Sequence, residues 1–173
     1  PTVLENLFRL DHLISRARRN AESLVVLAGA AGTGEGDEDF EVIDVLRAAL
    51  SEVEDYPRVA IAHVDDAAVD GATGADLSHL LSELIENGLS HSSAPVEVLG
   101  EAHPDGYRIT IVDHGDGMDA DALATANRRL AGDEDFTVAP SRYLGHYVAG
   151  RLAERTGSTV RLAHGEQGGI VAT

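Results

Sequence analysis

Residues 76–91 read DLSHLLSELIENGLSH, and this stretch carries two patterns on one helix. Leucine and isoleucine recur at helical spacing, which predicts an amphipathic helix with one face against a core. Four polar residues at intervals of four share one stripe of this helix: His79, Glu83, Asn87 and His91. The stripe is either the solvated side of the helix or one wall of a functional site.

Two members of the stripe are of the type that binds magnesium. Glu83 and Asn87 lie one turn apart, so a carboxylate and an amide oxygen can reach the same small volume. Mg²⁺ takes such oxygen ligands when the phosphates of a substrate complete its coordination. Glu83 could also act as a base toward a water or a hydroxyl group.

The composition of the 173-residue chain excludes several classes of protein. With 30 acidic and 13 basic residues the formal charge is −17, which repels nucleic acid and anionic membranes. The absence of lysine excludes the lysine-dependent phosphate sites of P-loop proteins and protein kinases, and the absence of cysteine excludes thiolate metal sites. No apolar run could span a bilayer, and the absence of cysteine fits a reducing compartment, so we expect a cytoplasmic chain or the cytoplasmic portion of a membrane-anchored protein.

Upstream of this helix the sequence predicts a helical hairpin. Apolar residues recur at alternating steps of four and three from Val3 to Ala28, which is a coiled-coil seam. After a glycine-rich link, a second seam follows at Val42, Leu46, Ala49 and Val53. We expect residues 1–55 to form a hairpin that makes a homodimeric four-helix bundle. The alternative is that the first helix packs on its own domain.

Residues 56–173 alternate strand and helix signals. Further helices are predicted at 119–130 and 143–155, and strands are predicted at 58–64, 96–102, 107–114 and in a closing hairpin at 158–173. Antiparallel hairpins mixed with helices favour an α+β fold, a two-layer α/β sandwich with helices on one face of a sheet.

The segment VDHGDGM at 112–118 is a second candidate site. Asp113 ends a strand at the rim of the core, and Gly115 and Gly117 let the backbone turn tightly and approach a ligand. A carboxylate at this place can accept a hydrogen bond from an exocyclic amine such as that of adenine. A calcium loop is excluded because Ala124 stands at its twelfth position, whereas a plain aspartate-glycine turn remains an alternative.

A third candidate site precedes the last predicted helix. Gly145 lies near the helix start, where backbone amides can bind phosphate oxygens without lysine. The segment formed by residues 128–142 is long and polar, which predicts a mobile lid over a site. The arginines of the lid, Arg128, Arg129 and Arg142, are either phosphate clamps or solvated surface residues.

In combination these motifs resemble the histidine-kinase and gyrase-type (GHKL) ATPase superfamily over residues 58–173. The resemblance is carried in order by Glu83 with Asn87, Asp113-x-Gly115-x-Gly117, Leu144-Gly145 and Gly168-Gly169. The leading segment LFRLDHLISRARRNAESLVVLAG is similar to the dimerisation helix of actinobacterial sensor kinases of the conservon type.

The resemblance implies a histidine-kinase-like ATP-binding fold for residues 56–173, with ATP and Mg²⁺ as ligands. By this resemblance Asn87 would bind Mg²⁺, Asp113 the adenine amine, Gly115 and Gly117 the nucleotide edge, and Gly145 the phosphates. Glu83 would be catalytic, and the remaining nucleotide-binding candidates are His91, Met118, Arg142, Leu144 and Gly169. A response regulator or another signalling protein is the expected downstream partner.

The sequence departs from this family pattern at three places. The lid motif is reduced to Leu144-Gly145, with His146 where leucine is common, and Gly168-Gly169-Ile170 lacks the family's threonine. His12 occupies the outward heptad position expected of a phosphoacceptor, but Asp11 precedes it and no proline follows in the usual order. His12 is therefore either the phosphoacceptor or a solvent-facing structural residue.

Three functions are compatible with these observations. The favoured function is an ATP-dependent protein-histidine kinase. The alternative is a catalytically weak or inactive nucleotide-binding or interaction module on the same fold. A serine kinase of the anti-sigma type is a third possibility, against which the long N-terminal seam argues.

Overall fold

The computed structural model describes Ile14, residues 39–134 and residues 144–173, and the elements are numbered within these residues. By its internal contacts the chain divides into two compact units, residues 1–31 and residues 32–173. The predicted phosphoacceptor His12, the lid residue Arg142 and the rest of the N-terminal seam lie outside the described residues. In the part of the chain that is described, no helix is both long and apolar enough to cross a membrane.

Four α-helices, one short 3₁₀ helix (Tyr56–Arg58) and seven strands are found in the described part of the second unit. The helices are α1 (Val42–Glu52), α2 (Gly71–His91), α3 (Ala120–Leu130) and α4 (Leu144–Thr156). The strands are β1 (Phe40–Glu41), β2 (Val59–Val64), β3 (Ala68–Val69), β4 (Val96–His103), β5 (Gly106–Val112), β6 (Leu162–His164) and β7 (Ile170–Ala172).

Five of the strands form one sheet in the spatial order β2-β4-β5-β7-β6. The edge strand β2 runs parallel to β4, whereas the other neighbouring strands are antiparallel. Strands β1 and β3 pair with each other in a separate two-stranded ribbon. The hairpin of β4 and β5 and the closing hairpin of β6 and β7 agree with the prediction from sequence.

The helices cover one face of this sheet. The apolar side of α2 is buried, and so are the sheet residues Val96, Val98 and Ile111. A Cβ at Gly88 of α2 would lie 3.2 Å from a methyl group of Val96, so the glycine lets the helix approach the sheet closely. The opposite face of the sheet carries the exposed residues Glu97, Glu101 and Arg108. The predicted two-layer α+β sandwich is confirmed.

Aspartates start two of the helices. The carboxylate of Asp70 accepts a hydrogen bond from the backbone nitrogen of Ala72 at 2.7 Å, and Asp119 accepts one from Ala122 at 2.8 Å. Such caps satisfy backbone N–H groups that the first turn of a helix leaves without partners. The cap at Asp70 starts α2 five residues before the predicted residue 76.

Helix α1 packs in the core of the second unit. Its apolar residues Val42, Val45, Leu46 and Ala49 are at most 4% exposed, and the helix contacts α2. The backbone nitrogen of Glu54 donates a hydrogen bond to the carboxylate of Glu86 on α2 at 3.1 Å. The second predicted seam is thus buried within this unit, and the predicted domain boundary at residue 55 falls inside it. A hairpin formed by residues 1–55 remains a prediction.

The edge strand β6 is covered by a side chain of α3. The amide of Asn127 donates through Nδ2 to the carbonyl oxygen of Leu162 at 2.9 Å and accepts through Oδ1 from its backbone nitrogen at 2.8 Å. The preceding residue, Arg161, exchanges both of its backbone hydrogen bonds with Thr173 at 2.8 and 2.9 Å. The backbone groups of Leu162 therefore point away from β7, toward the open edge.

Candidate functional site

A cavity of about 600 Å³ lies between α2, α3, the start of α4 and the sheet. Its apolar walls are formed by Leu84, Ile111, Ala126, Leu162, Ile170 and Ala172, and its polar walls include Asn87, His91, Asp113, Thr125, Arg129 and His146. Sites for small molecules commonly have this size and this combination of apolar walls with a few polar groups.

The predicted polar stripe of α2 contacts this cavity and the start of α4. Asn87 and His91 line the cavity, while His79 lies one turn from Glu83, with Nε2 of His79 3.5 Å from Oε1 of Glu83. A Cβ at Gly145 would lie 2.9 Å from Oε2 of Glu83 and 3.3 Å from Oδ1 of Asn87. The stripe is therefore partly covered by α4 and is not simply the solvated side of a helix.

The amide of Asn87 has unused hydrogen-bonding capacity. Its Nδ2 atom is buried and has no hydrogen-bond partner among the described residues. Buried amide groups are normally satisfied, because an unsatisfied one loses the hydrogen bonds it made to water. Asn87 thus has a donor available for a group outside the described residues.

Asp113 is held at the floor of the cavity by a network of backbone contacts. The residue is 7% exposed, its nitrogen donates to the carbonyl oxygen of Ile170 at 3.0 Å, and its Oδ1 accepts from the nitrogen of Gly115 at 2.9 Å. A Cβ at Gly115 would collide with the carbonyl oxygen of His91, and a Cβ at Gly169 would collide with that of Asp113. These glycines are required for packing around Asp113.

The remaining predicted nucleotide-binding residues lie around the same cavity. Gly117 and Met118 line it directly, and Gly117 has a positive φ of 73°, a conformation that favours glycine. Leu144 is buried at the start of α4, next to Gly145. Of the predicted nucleotide-binding residues that the structure describes, five line the cavity, and Gly115, Gly145 and Gly169 lie against residues that do.

Arg128 and Arg129, which were predicted to begin the lid, lie instead in the last turn of α3, where Arg129 lines the cavity and Arg128 does not. Both form ion pairs with Glu134, at 3.0 Å for Arg129 and 3.1 Å for Arg128. Arg129 also lies over the ring of Tyr147, with 5.8 Å between the guanidinium carbon and the ring centroid. Although desolvation alone would raise the pKa of Glu134, the hydrogen bonds from the two arginines hold that pKa below its ordinary value. Arg129 is thus fixed at the cavity wall.

His146 is a site residue that the sequence marked only as a departure from leucine. It lines the cavity, is 8% exposed, and its Nδ1 has no partner in the described part of the chain. Burial lowers the pKa of His146 to about 4, assisted by Arg129 and His91 and opposed by Glu83. The imidazole is therefore neutral at pH 7.

Part of the apolar lining, here called the apolar floor and formed by Leu162, Ile170 and Ala172, was also not assigned from sequence. Leu162, Ile170 and Ala172 come from the closing hairpin, where β6 and β7 turn these residues toward the helices. Alternation within the hairpin predicts one inner face, but three-residue strands are too short to show which face that is.

Comparison with known proteins identifies the family. Residues 72–173 match the family described as histidine kinase-, DNA gyrase B-, and HSP90-like ATPase. The chain belongs to this ATPase family, and residues 72–173 carry its ATP-binding domain. The predicted family is confirmed, whereas the similarity to conservon-type kinases stays a prediction.

Solved structures show the same fold. The ATP-binding domain of PrrB from Mycobacterium tuberculosis is 22% identical, with a TM-score of 0.59 over 79% of this chain and 94% of that one. The Acinetobacter baumannii histidine kinase AdeS is 16% identical, with a TM-score of 0.61 over 99% and 84% of the two chains. The kinase domain of the E. coli osmosensor EnvZ is 16% identical, with a TM-score of 0.57 over 82% and 89%. No curated protein gives a significant match.

Proposed function

We propose that this chain is the ATP-binding catalytic region of a sensor histidine kinase, which transfers the γ-phosphoryl group of ATP to a histidine in a dimeric helical hairpin. The observation that carries the proposal is the buried amide of Asn87, which lines the cavity beside Gly145 and has an unpartnered Nδ2 among the described residues. A polar group left open in a cavity of this family is the expected contact for a bound nucleotide.

The adenine base would lie on the apolar floor beside Asp113. Gly115 uses Oδ1 of Asp113, and the other carboxylate oxygen can accept a hydrogen bond from the adenine amine. Ile111 and Ile170 line the cavity next to this carboxylate and would contact the face of the base. Burial of an apolar ring next to one fixed acceptor accounts for both affinity and selectivity.

The phosphates would lie between α2 and the start of α4. Oδ1 of Asn87 would hold Mg²⁺, which when bound neutralises charge on the phosphates during transfer. No group of three or more histidine, aspartate or glutamate side chains in the described residues could hold a metal ion alone, which fits an ion that shares its ligands with a nucleotide. The backbone N–H groups of α4 near Gly145 would contact the phosphates, and Glu83, whose Oε2 lies 2.9 Å from the Cβ position of Gly145, would polarise the incoming nucleophile.

The acceptor and partners complete this proposal. His12 is the candidate phosphoacceptor, and the N-terminal hairpin would provide the homodimer. Ile14, the residue of the first seam that the structure describes, is 66% exposed on a helix, so its side chain is accessible to a partner. A response regulator or another signalling protein would receive the phosphoryl group or the conformational signal.

Incubation of the purified chain with Mg²⁺ and γ-labelled ATP tests the proposal. We expect protein-bound label that is labile in acid and stable in base, as a phosphohistidine is. In the variant Asn87→Ala we expect no label and no ATP-induced rise of the thermal midpoint, because the stabilisation by a ligand disappears with its binding. The midpoint without ATP should change little, since Asn87 has an unsatisfied buried amide.

A second candidate is the weak or inactive nucleotide-binding module. The reduced lid motif Leu144-Gly145-His146 supports it. ATP binding by the parent chain without any label would favour this module over the kinase. Absence of both binding and label would contradict the assignment of the cavity to ATP.

A further inference from the structure

His146 is a polar residue at a position where packing alone favours an apolar one. It is 8% exposed and stands between the buried residues Leu144 and Val148 near the start of α4. Its Nδ1 is buried, and within residues 39–134 and 144–173 no group forms a hydrogen bond to it. Because an unpartnered buried nitrogen destabilises a fold, a leucine of similar size would pack here more favourably. The imidazole is therefore better explained by a bound molecule than by packing.

The groups around His146 identify the chemistry of that molecule. Arg129 and His91 lie near enough to disfavour protonation of His146, and both line the same cavity. Asn87 lines it as well and has the buried, unpartnered Nδ2. Glu83 favours protonation of His146, and three aspartates also line the cavity: Asp113 after β5, and Asp119 and Asp121 at the start of α3, whereas Arg129 lies in the last turn of α3 and is paired with Glu134. The two buried nitrogens without a partner, on Asn87 and His146, can both serve as donors near this arginine, and an oxygen-rich anion accepts from such donors.

We propose that Nδ1 of His146 donates a hydrogen bond to a phosphate oxygen of the bound nucleotide, which makes His146 a further nucleotide-binding residue. This inference rests on the proposed function, in which the cavity takes ATP. The neutral ring then carries its proton on Nδ1. His146 follows Gly145 in the first described turn of α4, and it lines the same cavity as Asn87.

Three substitutions separate hydrogen bonding from shape. His146→Leu keeps an apolar side chain of similar size and removes the donor. His146→Asn places an amide nitrogen close to the position of Nδ1, whereas His146→Gln places one closer to Nε2. Each variant is titrated calorimetrically with ATP, ADP and adenosine in the presence of Mg²⁺. The variant His164→Leu is the control, because His164 is an exposed histidine on β6 that does not line the cavity.

We expect His146→Leu and His146→Gln to bind ATP and ADP about tenfold or more weakly than the parent, the loss typical of a hydrogen bond to a charged group. His146→Asn should recover most of the affinity, and adenosine affinity should be the same in all variants. The control should bind like the parent. Thermal midpoints verify folding. If His146→Leu does not fold, the comparison of His146→Asn with His146→Gln tests the inference.

Three results would overturn the inference while leaving the proposed function intact. They are parent-like affinity of His146→Leu for both nucleotides, affinity of His146→Asn no better than that of His146→Leu or His146→Gln, and an equal loss for adenosine. The last result would mean that the ring contacts the nucleoside and not a phosphate. Failure of the parent itself to bind ATP would contradict the proposed function and this inference together.

Discussion

Gly169 lies so close to Asp113 that no side chain fits between them. Its φ is 73°, and a Cβ would collide with the carbonyl oxygen of Asp113 and lie 2.8 Å from Oδ1. Gly157 has a similar φ of 66° but no atom within 4 Å of the Cβ position. The two glycines share the backbone conformation and differ in their surroundings.

We expect Gly169→Ala to lower the free energy of unfolding by about 2–4 kcal/mol, because conformational strain and a backbone clash add. Gly157→Ala should cost only about 1–2 kcal/mol, the strain alone. Urea denaturation followed by circular dichroism measures both variants. Equal losses in the two variants would show that Gly169 is not constrained by Asp113.

The protonation of His146 makes stability depend on pH. The pKa is about 4 in the folded chain, against 6.5 for an ordinary histidine, so on acidification the unfolded chain takes up the proton first. His146 therefore does not reduce the free energy of unfolding above pH 6.5. As the pH falls from 6.5 toward 4 this free energy decreases, and below pH 4 the total loss is about 3 kcal/mol. We expect His146→Leu to lose less stability than the parent between pH 6.5 and pH 4.

Denaturation at several pH values within this window checks that expectation, with His164→Leu as the control. The groups that act on His146 are Arg129 and His91, which oppose its protonation, and Glu83, which favours it. All three are retained in both variants. Parallel pH profiles for the parent and His146→Leu would contradict the buried neutral state of the ring.

Among the helices and strands, α1 shows that a sequence pattern can predict a helix without predicting which element covers it. The seam of Val42, Leu46 and Ala49 has the same spacing whether its partner is another arm of a hairpin or α2 of the same unit. The pattern predicted the helix and its buried face, but the identity of the covering element depends on tertiary contacts. Strands β1 and β3 were missed because two residues cannot show alternation.

The candidate site likewise has features that the sequence predicts and features that it does not. Spacing of four residues predicted the polar stripe of α2, and the glycines after Asp113 predicted a tight turn beside a ligand, but only the resemblance to the ATPase family joined the two motifs. In the structure Asn87, His91, Asp113 and Gly117 line one cavity. The unpartnered nitrogen of His146 could not be predicted, since burial and hydrogen bonding arise only when α2, α3 and α4 pack together.

The substitution Leu46→Ala tests whether α1 belongs to the ATP-binding unit. Leu46 is fully buried, so the cavity left by its truncation should destabilise the unit by about 2–5 kcal/mol. Leu50→Ala on the same helix is the matched control, because Leu50 is only partly buried and should cost less. Thermal unfolding monitored by circular dichroism compares the two. An unchanged midpoint in Leu46→Ala would mean that α1 is dispensable for this unit.

For the whole molecule, the proposed dimer depends on the exposed apolar residue Ile14. Ile14→Glu places a charge on the predicted seam, and we expect it to convert a dimer into a monomer because a carboxylate loses its hydration in a packed interface. Light scattering of the parent, of Ile14→Glu and of the conservative Ile14→Leu measures the masses. A monomeric parent, or a dimeric Ile14→Glu, would contradict assembly through this seam.

The pair of hydrogen bonds between Asn127 and Leu162 also affects how these molecules behave when they are concentrated. An open sheet edge is a template on which a strand of another molecule can pair, and such pairing leads to aggregation. One amide on α3 occupies the two outward backbone groups of Leu162 and so behaves like a neighbouring strand of a single residue. The side chain thereby caps the β6 edge against fibril-like growth, and the net charge of −17 adds mutual repulsion between molecules.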